Sequence, residues 1–409
     1  MSLDLTPAEM LMVSPPSNEP TGLSDRTLWI MAAACGVAAA NIYYNQPLLG
    51  RFADYFHSTQ THAGLVATAA QVGYGVGIFF FVPLGDLMER RKLVLLLTAV
   101  CCGLLILTAC SASLWMLIIL QLLVGITAMF AQVLIPLAID LTEPHKRGHT
   151  VGVLMAGLLA GILLARTVSG VVCDHFGWRA VFIMSAGLMA IMWFVLRAEL
   201  PHRAPSLQMS YGRLMHSMID LLLEQPRLRT AAIVSGLSFA AFQGFWTTLA
   251  FLMQSYFHRG AQEAGLFGVI GLAGALAAPL AGKLSDKKGS DFTVTVAVLL
   301  TIASFALMGC WVSIAGLIIG VVLMDLGVQS VQVAEQANVM ALVPEARSRL
   351  NTMYMVGRFM GGASGSAIGS VLWPRFGWGG VCVANGAFLV LGMMVHLAGA
   401  VPKPEFPNE

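Results

Sequence analysis

The residues with the most chemistry to offer lie where charge is scarcest. Asp325 falls about eleven residues into an apolar stretch over 314–340, followed by Gln329, Gln332 and Gln336 at spacings of 4, 3 and 4. Those spacings put all four on one helix face. Against hydrocarbon such a stripe would cost several kcal/mol, so it should line water or a ligand. A carboxylate in a partly dry cavity can load and release a proton as the cavity changes sides, which makes Asp325 the candidate proton-coupling group. A permanent salt bridge is the competing role. Its obvious partner is Arg166, in the uncharged stretch 149–172. The two depths differ by only about 7 Å at roughly 1.5 Å per residue. Arg166 therefore reads as the salt-bridge partner of Asp325, or as a direct anchor for an anionic group. Glu335 and Arg358 match in depth on consecutive stretches, which suggests a packed ion pair rather than substrate contact. Asn41, Tyr44, Asn45, Gln71, Tyr74, Gln121, Gln132, Gln243 and Trp246 add neutral polar groups. Trp246 lies too deep for an interfacial anchor and offers a stacking surface for an aromatic or sugar-like molecule. Asn41, Gln243 and Trp246 are the preferred substrate contacts, with Tyr44, Gln71, Gln121 and Gln329 beside them. Hydrogen bonds between helices would suit any single one of these amides equally well.

The elements that hold these groups must be membrane helices. Only 11% of the 409 residues are charged and 57% are apolar, against about 25% charged in a soluble domain. Uncharged stretches recur at roughly the 20-residue length of a membrane span. One lies between Arg26 and Arg51, and the next at 61–85. Two more lie between Lys92 and Asp140, broken at Ser111-Ala112-Ser113. The others are at 149–172, 180–198, 230–256, 264–284, 292–311, 314–340, 350–373 and 380–401. The prediction is an all-α membrane protein of 12 transmembrane helices.

Asp86 and Asp286 stand 200 residues apart in charged loops, and the same offset relates Pro144 to Pro344, Arg147 to Arg347, and Phe176-Gly177-Trp178 to Phe376-Gly377-Trp378. A period this long means a duplicated half. The expected organisation is a tail (1–26), a six-helix bundle (27–198), a linker (199–229), a second bundle (230–401) and a short tail (402–409). Within the linker, 210–223 has an amphipathic rhythm and should lie along the inner membrane face. With both ends inside, seventeen of the 23 Lys and Arg fall in cytoplasmic segments and four in outer loops, which sets the orientation. Trp115, Trp178, Trp311, Trp373 and Trp378 fall at outer ends, as an interfacial belt would. The seven cysteines have no CxxC spacing and read as small apolar residues.

No P-loop pattern, GxSxG or HExxH is present, so neither ATP-driven pumping nor intramembrane hydrolysis has support. No cofactor or metal is expected, and no basic tract points to nucleic acid. The expected partners are a small-molecule substrate, protons and the lipid bilayer, with the chain acting as a monomer.

Two six-helix halves joined by a cytoplasmic loop resemble the major facilitator superfamily of secondary transporters, which carry substrate near mid-membrane between halves. Gly282-x-Leu284-Ser285-Asp286-Lys287-Lys288-Gly289 is similar to that family's cytoplasmic loop motif. The stretch keeping Leu84, Asp86, Arg90 and Arg91 is a looser copy, with Val82 and Glu89 in place of glycines. The resemblance implies that Asp86 and Asp286, with Arg90, latch neighbouring helix bundles and release as they rock. Ordinary positive-inside charge is the plainer role for these loops. The resemblance also implies that the first, fourth, seventh and tenth helices line the pathway, and that the fifth lines the seam between halves, where an Arg166–Asp325 pair would act as a gate. Asn41-Ile42-Tyr43-Tyr44-Asn45-Gln46-Pro47, Leu163 to Gly170 and Asp325-Leu326-Gly327-Val328-Gln329 resemble bacterial drug/proton antiporters and sugar-efflux carriers. Two positions depart from the antiporters. Gln121 stands where many carry an arginine, and the fifth helix keeps Gly157-x-x-x-Gly161 without the usual glycine-proline pair. The implied function is proton-coupled export of small amphiphilic molecules across a bacterial inner membrane, both termini cytoplasmic. A proton-coupled importer of a sugar or organic acid, or a membrane sensor that no longer transports, are the alternatives.

Overall fold

The computed structural model describes residues 23–202, 210–275 and 278–399. The tails expected at 1–26 and 402–409 lie mostly or wholly outside the described residues, as does the side chain of Asp286. The chain is all-helical: α1 (Asp25–Tyr43), α2 (Leu49–Tyr55), α3 (Gln60–Leu87), α4 (Arg90–Ala109), α5 (Leu114–Ala128), α6 (Ala131–Asp140), α7 (Arg147–Phe176), α8 (Trp178–Glu199), α9 (Tyr211–Glu224), α10 (Pro226–Ser255), α11 (Ala261–Ala275), α12 (Ala278–Lys288), α13 (Ser290–Cys310), α14 (Ile314–Leu342) and α15 (Arg347–Gly399). Among the described residues, ten continuous segments are long and apolar enough to cross a membrane. One of these, α15, is two helices joined at Gly377, and α11 with α12 supplies a further span. The result is twelve spans in two bundles of six.

Local chemistry repeats with the 200-residue offset. Ser113 and Ser313 cap α5 and α14, each hydroxyl accepting from the backbone N–H three residues on, at 3.2 and 3.0 Å. Pro144 and Pro344 open the 3-10 turns that lead into α7 and α15. The turns joining the last two helices of each bundle hold Gly177 at φ 82° and Gly377 at φ 59°. Only glycine adopts that conformation without strain.

Glycines also set how closely the helices approach. A methyl group on Gly36 would lie 2.7 Å from the Gly157 carbonyl oxygen, and one on Gly236 would lie 2.9 Å from that of Gly357. Gly161 and Gly361 press against Gly36 and Gly236 in turn. The α1–α7 and α10–α15 pairs are thus the same close-packed crossing, made twice. Between the bundles, α3 packs on α15 and α7 on α11. Helices α1 and α10 are mostly buried, whereas α4, α8 and α13 expose apolar side chains such as Leu96, Ile183 and Leu299 outward, as lipid contact requires.

The aromatic belt needs correction. Trp115 and Trp311 are exposed, but Trp178, Trp373 and Trp378 are buried. Trp178 packs edge-on to Phe52 at 5.5 Å, while the Trp378 and Trp373 indoles donate to the Met308 carbonyl (2.9 Å) and Gln60 Oε1 (2.8 Å). Burial satisfied the Trp373 and Trp378 N–H groups with protein acceptors in place of headgroups, while the Trp178 N–H has no partner among the described residues. The amphipathic segment is the helix α9, with Leu214 and Met218 buried. Its Tyr211 hydroxyl donates to the Phe80 carbonyl in one bundle, and Ser217 Oγ accepts from Arg349 in the other.

Candidate functional site

The centre of the molecule is built around Arg166, which is 1% exposed. Its Nε donates to Gln46 Oε1 at 2.8 Å, and Gln46 Nε2 donates to Gln243 Oε1 at 3.1 Å. That chain of three side chains crosses the seam between the bundles. Pro47 explains how Gln46 arrives there. It lacks an N–H, and α1 gives way at Tyr43 to a 3-10 turn over Gln46–Leu48. The guanidinium lies 3.9 Å from the Trp246 ring centroid and 4.8 Å from that of Tyr43, with Phe242 at 5.8 Å. Aromatic faces stabilise a desolvated cation by about 2 kcal/mol, less than full burial of a charge costs. Both terminal nitrogens of Arg166 are buried without a hydrogen-bond partner among the described residues, as are Gln243 Nε2 and Trp246 Nε1. Three kinds of donor thus converge with nothing to donate to.

Asp325 is buried as well, and its Oδ2 has no hydrogen-bond partner among the described residues. The expected Arg166–Asp325 salt bridge is not formed among the described residues. Helix α11 fits against both: a methyl on Gly271 would lie 2.7 Å from Asp325 Oδ2, and one on Gly268 3.1 Å from Arg166 Cβ. The two charges remain close enough to act on each other electrostatically. A void of about 10 Å³, lined by Gln46, Arg166 and Trp246, lies beside the guanidinium. Pro47 and Ala250 border both this void and an outer cavity of about 320 Å³ that includes Arg51 and Arg259. Around that mouth the bundles are joined by Gln254 to Asp54 (2.7 Å) and by the Gln262 amide to Asp174 (2.9 Å).

The remaining candidates divide. Gln243 and Trp246 belong to the central cluster. Tyr44, Gln71 and Gln121 are buried nearby, with Gln121 Oε1 accepting from Asn45 at 2.8 Å and Gln71 lying beside Tyr43. Gln329 is partly exposed on α14. Asn41 points elsewhere: its Oδ1 accepts from Ser185 Oγ at 2.5 Å and its Nδ2 donates to the Val37 carbonyl at 3.0 Å. Its amide is spent holding α1 to α8. Glu335 and Arg358 do not pair among the described residues. Arg358 donates to Ser235 Oγ at 2.9 Å and lies over Phe239 at 4.2 Å, while Glu335 faces His396. Equal depth put them at one level, but helix rotation turned them to different neighbours. Tyr43 and Gln46 were not among the expected site residues. The duplication could have found them, because the offset places Tyr43 opposite Gln243 and Gln46 opposite Trp246.

Where α3 meets α4, Arg90 bonds Asp86 at 2.7 Å and Asp140 at 2.6 Å, and Asp86 Oδ2 accepts from Ser348 Oγ of the other bundle at 3.2 Å. The cluster reaches across the seam between the bundles.

Comparison with known proteins gives a consistent frame. A family model described as Major Facilitator Superfamily matches residues 29–312 and 231–409. The chain is 40% identical to the uncharacterized transporter YgaY of Escherichia coli O157:H7 over 92% of its length and 96% of that protein. It is 25% identical to a probable sugar efflux transporter of Helicobacter pylori, over 85% of this chain and 88% of that one. Among solved structures, a bacterial homologue of the human lysosomal transporter Spinster, in an inward-facing unoccupied conformation, superposes with a TM-score of 0.75 at 14% identity. That match covers 94% of this chain and 98% of the other. A mutant of the nucleoside transporter NupG superposes with a TM-score of 0.73 at 15% identity, covering 91% and 100%.

Proposed function

The chain belongs to the major facilitator superfamily of secondary transporters, and from that premise we propose that it exports small amphiphilic molecules in exchange for protons. Arg166 anchors the substrate's acceptor-rich end, and Asp325 couples transport to the proton. The observation that carries this reading is the pair of spare, buried Arg166 nitrogens beside an unpartnered Asp325 oxygen at the seam. Gln243 and Trp246 supply further donors, and Tyr43 and Gln46 hold the guanidinium in place. The sugar-efflux relatives agree with a hydroxyl-rich ligand and with outward transport.

The coupling follows from what each state of Asp325 can accept. An ionised carboxylate takes hydrogen bonds from substrate hydroxyls while balancing Arg166. A protonated one keeps only a weaker carbonyl acceptor, presents a hydroxyl donor in place of the other oxygen, and leaves the arginine uncompensated. A hydroxyl-rich substrate and the proton therefore exclude one another, which is the logic of antiport. Alternating access carries whichever is bound, with the Asp86–Arg90–Asp140 cluster and the α3–α15 and α7–α11 seams opening in turn.

A second reading has its own support. Two buried arginines, Arg166 and Arg358, face one another along the Phe242–Phe239 stack, with one carboxylate, Asp325, near the first. An organic anion could replace Asp325 as the counter-charge only once Asp325 is protonated. Anion and proton would then travel together, as in symport.

The test is reconstitution in liposomes with a lumenal pH dye, an imposed pH gradient and a panel of sugars, organic acids and cationic dyes. Proton movement opposite to substrate, lost in Asp325→Asn, is the expected result. Movement in the same direction with an organic acid would establish symport instead. Coupling that survives Asp325→Asn would remove Asp325 from the mechanism.

A further inference from the structure

A second buried ionisable pair lies at the inner end of the C-terminal bundle, away from the central cluster. Glu335 on α14 is 0% exposed and His396 on α15 is 1% exposed. His396 Nδ1 lies 3.8 Å from Glu335 Oε1, and neither Nδ1 nor either carboxylate oxygen has a hydrogen-bond partner among the described residues. The other ring nitrogen fixes the tautomer. Nε2 sits 3.1 Å from the Asp291 backbone carbonyl oxygen, which can only accept, so Nε2 carries a hydrogen. A neutral imidazole then turns a bare lone pair toward the carboxylate. Two acceptors facing each other in a dry interior are relieved by one proton, shared between Nδ1 and the carboxylate.

The neighbours do not supply the missing charge. Arg227 of α10 is a cation close enough to act on Glu335 electrostatically, but it is paired with Asp291 of α13 and also donates to the Gly399 carbonyl at 3.4 Å. Tyr354 of α15 is bonded to Ser235, and Asn338 of α14 offers only a neutral amide. The fold does not demand ionisable groups here either. The 200-residue offset maps Glu335 to Ile135 and His396 to Leu196, both buried and aliphatic, in the other bundle. Asp291 and Arg227 stand at the inner ends of their helices, and His396 is one turn from the end of α15. Ten residues along α14 separate Glu335 from Asp325, about 15 Å at 1.5 Å per residue.

We propose that Glu335 and His396 form a binding site for one exchangeable proton, separate from Asp325 and opening to the cytoplasm past the Arg227–Asp291 pair. The site stands on its own geometry and does not depend on the role given to Asp325.

Infrared difference spectroscopy tests it on the full chain in detergent, carrying Asp325→Asn so that the central carboxylate is silent. Stepping the buffer from about pH 5 to about pH 9 spans the range in which histidine changes charge. Eight other histidines contribute imidazole signal of their own, so the signal read is the parent spectrum minus each variant's. It should hold a carboxyl band and an imidazole band that change together, both against Glu335→Gln and against His396→Gln. The double change Glu335→Ile with His396→Leu copies the other bundle's packing, so it should fold as well as the parent and lack both bands. Parent-minus-variant spectra that lack the two bands, or bands there that do not respond to pH, would overturn the proposal.

Discussion

The two bundles share a frame and differ in what they place on it. Gly36, Gly157 and Gly161 make the same close crossing as Gly236, Gly357 and Gly361. The polar groups at the seam do not correspond in this way. Tyr43 and Gln46 face Gln243 and Trp246, so glutamine and aromatic side chain have exchanged places. Arg166 is matched by Ser366. Asp325 is matched by Gly125, while Gly271, against which Asp325 rests, is matched by Gln71. At these matched positions each half holds one polar side chain and one glycine, but on opposite members of the helix pair. Duplication preserves backbone contact because a glycine in a tight crossing has no substitute. The seam tolerates exchange, since it requires only that large and small residues alternate. That tolerance let one symmetric unit acquire an asymmetric, single-copy site.

The largest effect should come from breaking the asymmetry at its centre. Arg166→Gln is expected to lower transport about 100-fold, the scale of lost hydrogen bonds to a charged group, whereas Ser366→Ala at the matching position should stay within about twofold. Initial rates in proteoliposomes would show it, and equal losses would mean that both positions serve structure.

Next comes the shared frame. Gly161→Ala and Gly361→Ala both force a methyl into a facing backbone and should each destabilise by about 1–3 kcal/mol. Thermal unfolding in detergent should give similar shifts for the two. A large difference would end the claim that the crossings are equivalent.

A gentler probe is Gly271→Ala, whose methyl would meet the Asp325 carboxylate rather than backbone. The fold should persist while coupled transport falls by about tenfold, because misplacing a working group by an ångström is costly in rate.

The smallest effect belongs to the inner loops. Glu89, matched by Gly289, is bonded to His202 at 2.6 Å and Lys92 at 3.1 Å, and the Lys92 and His202 partners hold its carboxyl below the ordinary range. Its contribution to stability is present at neutral pH and fades as pH falls through that lowered value. Wild type and Glu89→Gln should therefore differ slightly in melting temperature at neutral pH and converge in acid.

Much of this was legible in the sequence because lipid leaves few options. An uncharged stretch of about 20 residues must be a helix, and a helix in lipid must turn any charge inward. Asp325, Arg166, Gln243 and Trp246 were therefore locatable as buried polar groups from residue type and depth. Their partners were not. Asn41 has the depth of a substrate contact, yet rotation of α1 commits it to Ser185. Tyr43 and Gln46 reach the centre because the helix breaks at Pro47, and nothing in the local pattern announces which way the broken end will turn.

Residue types and their spacing were enough for the twelve spans, the duplication and the short roster of membrane-buried charges, because polarity is costly in hydrocarbon. Tertiary structure alone decided who meets whom. It set Arg166 on aromatic faces with Gln46, kept it off Asp325, and turned Glu335 to His396 and Arg358 to Ser235. Depth along a helix is written in one dimension, but pairing depends on rotation and crossing angle, which are settled only when helices pack.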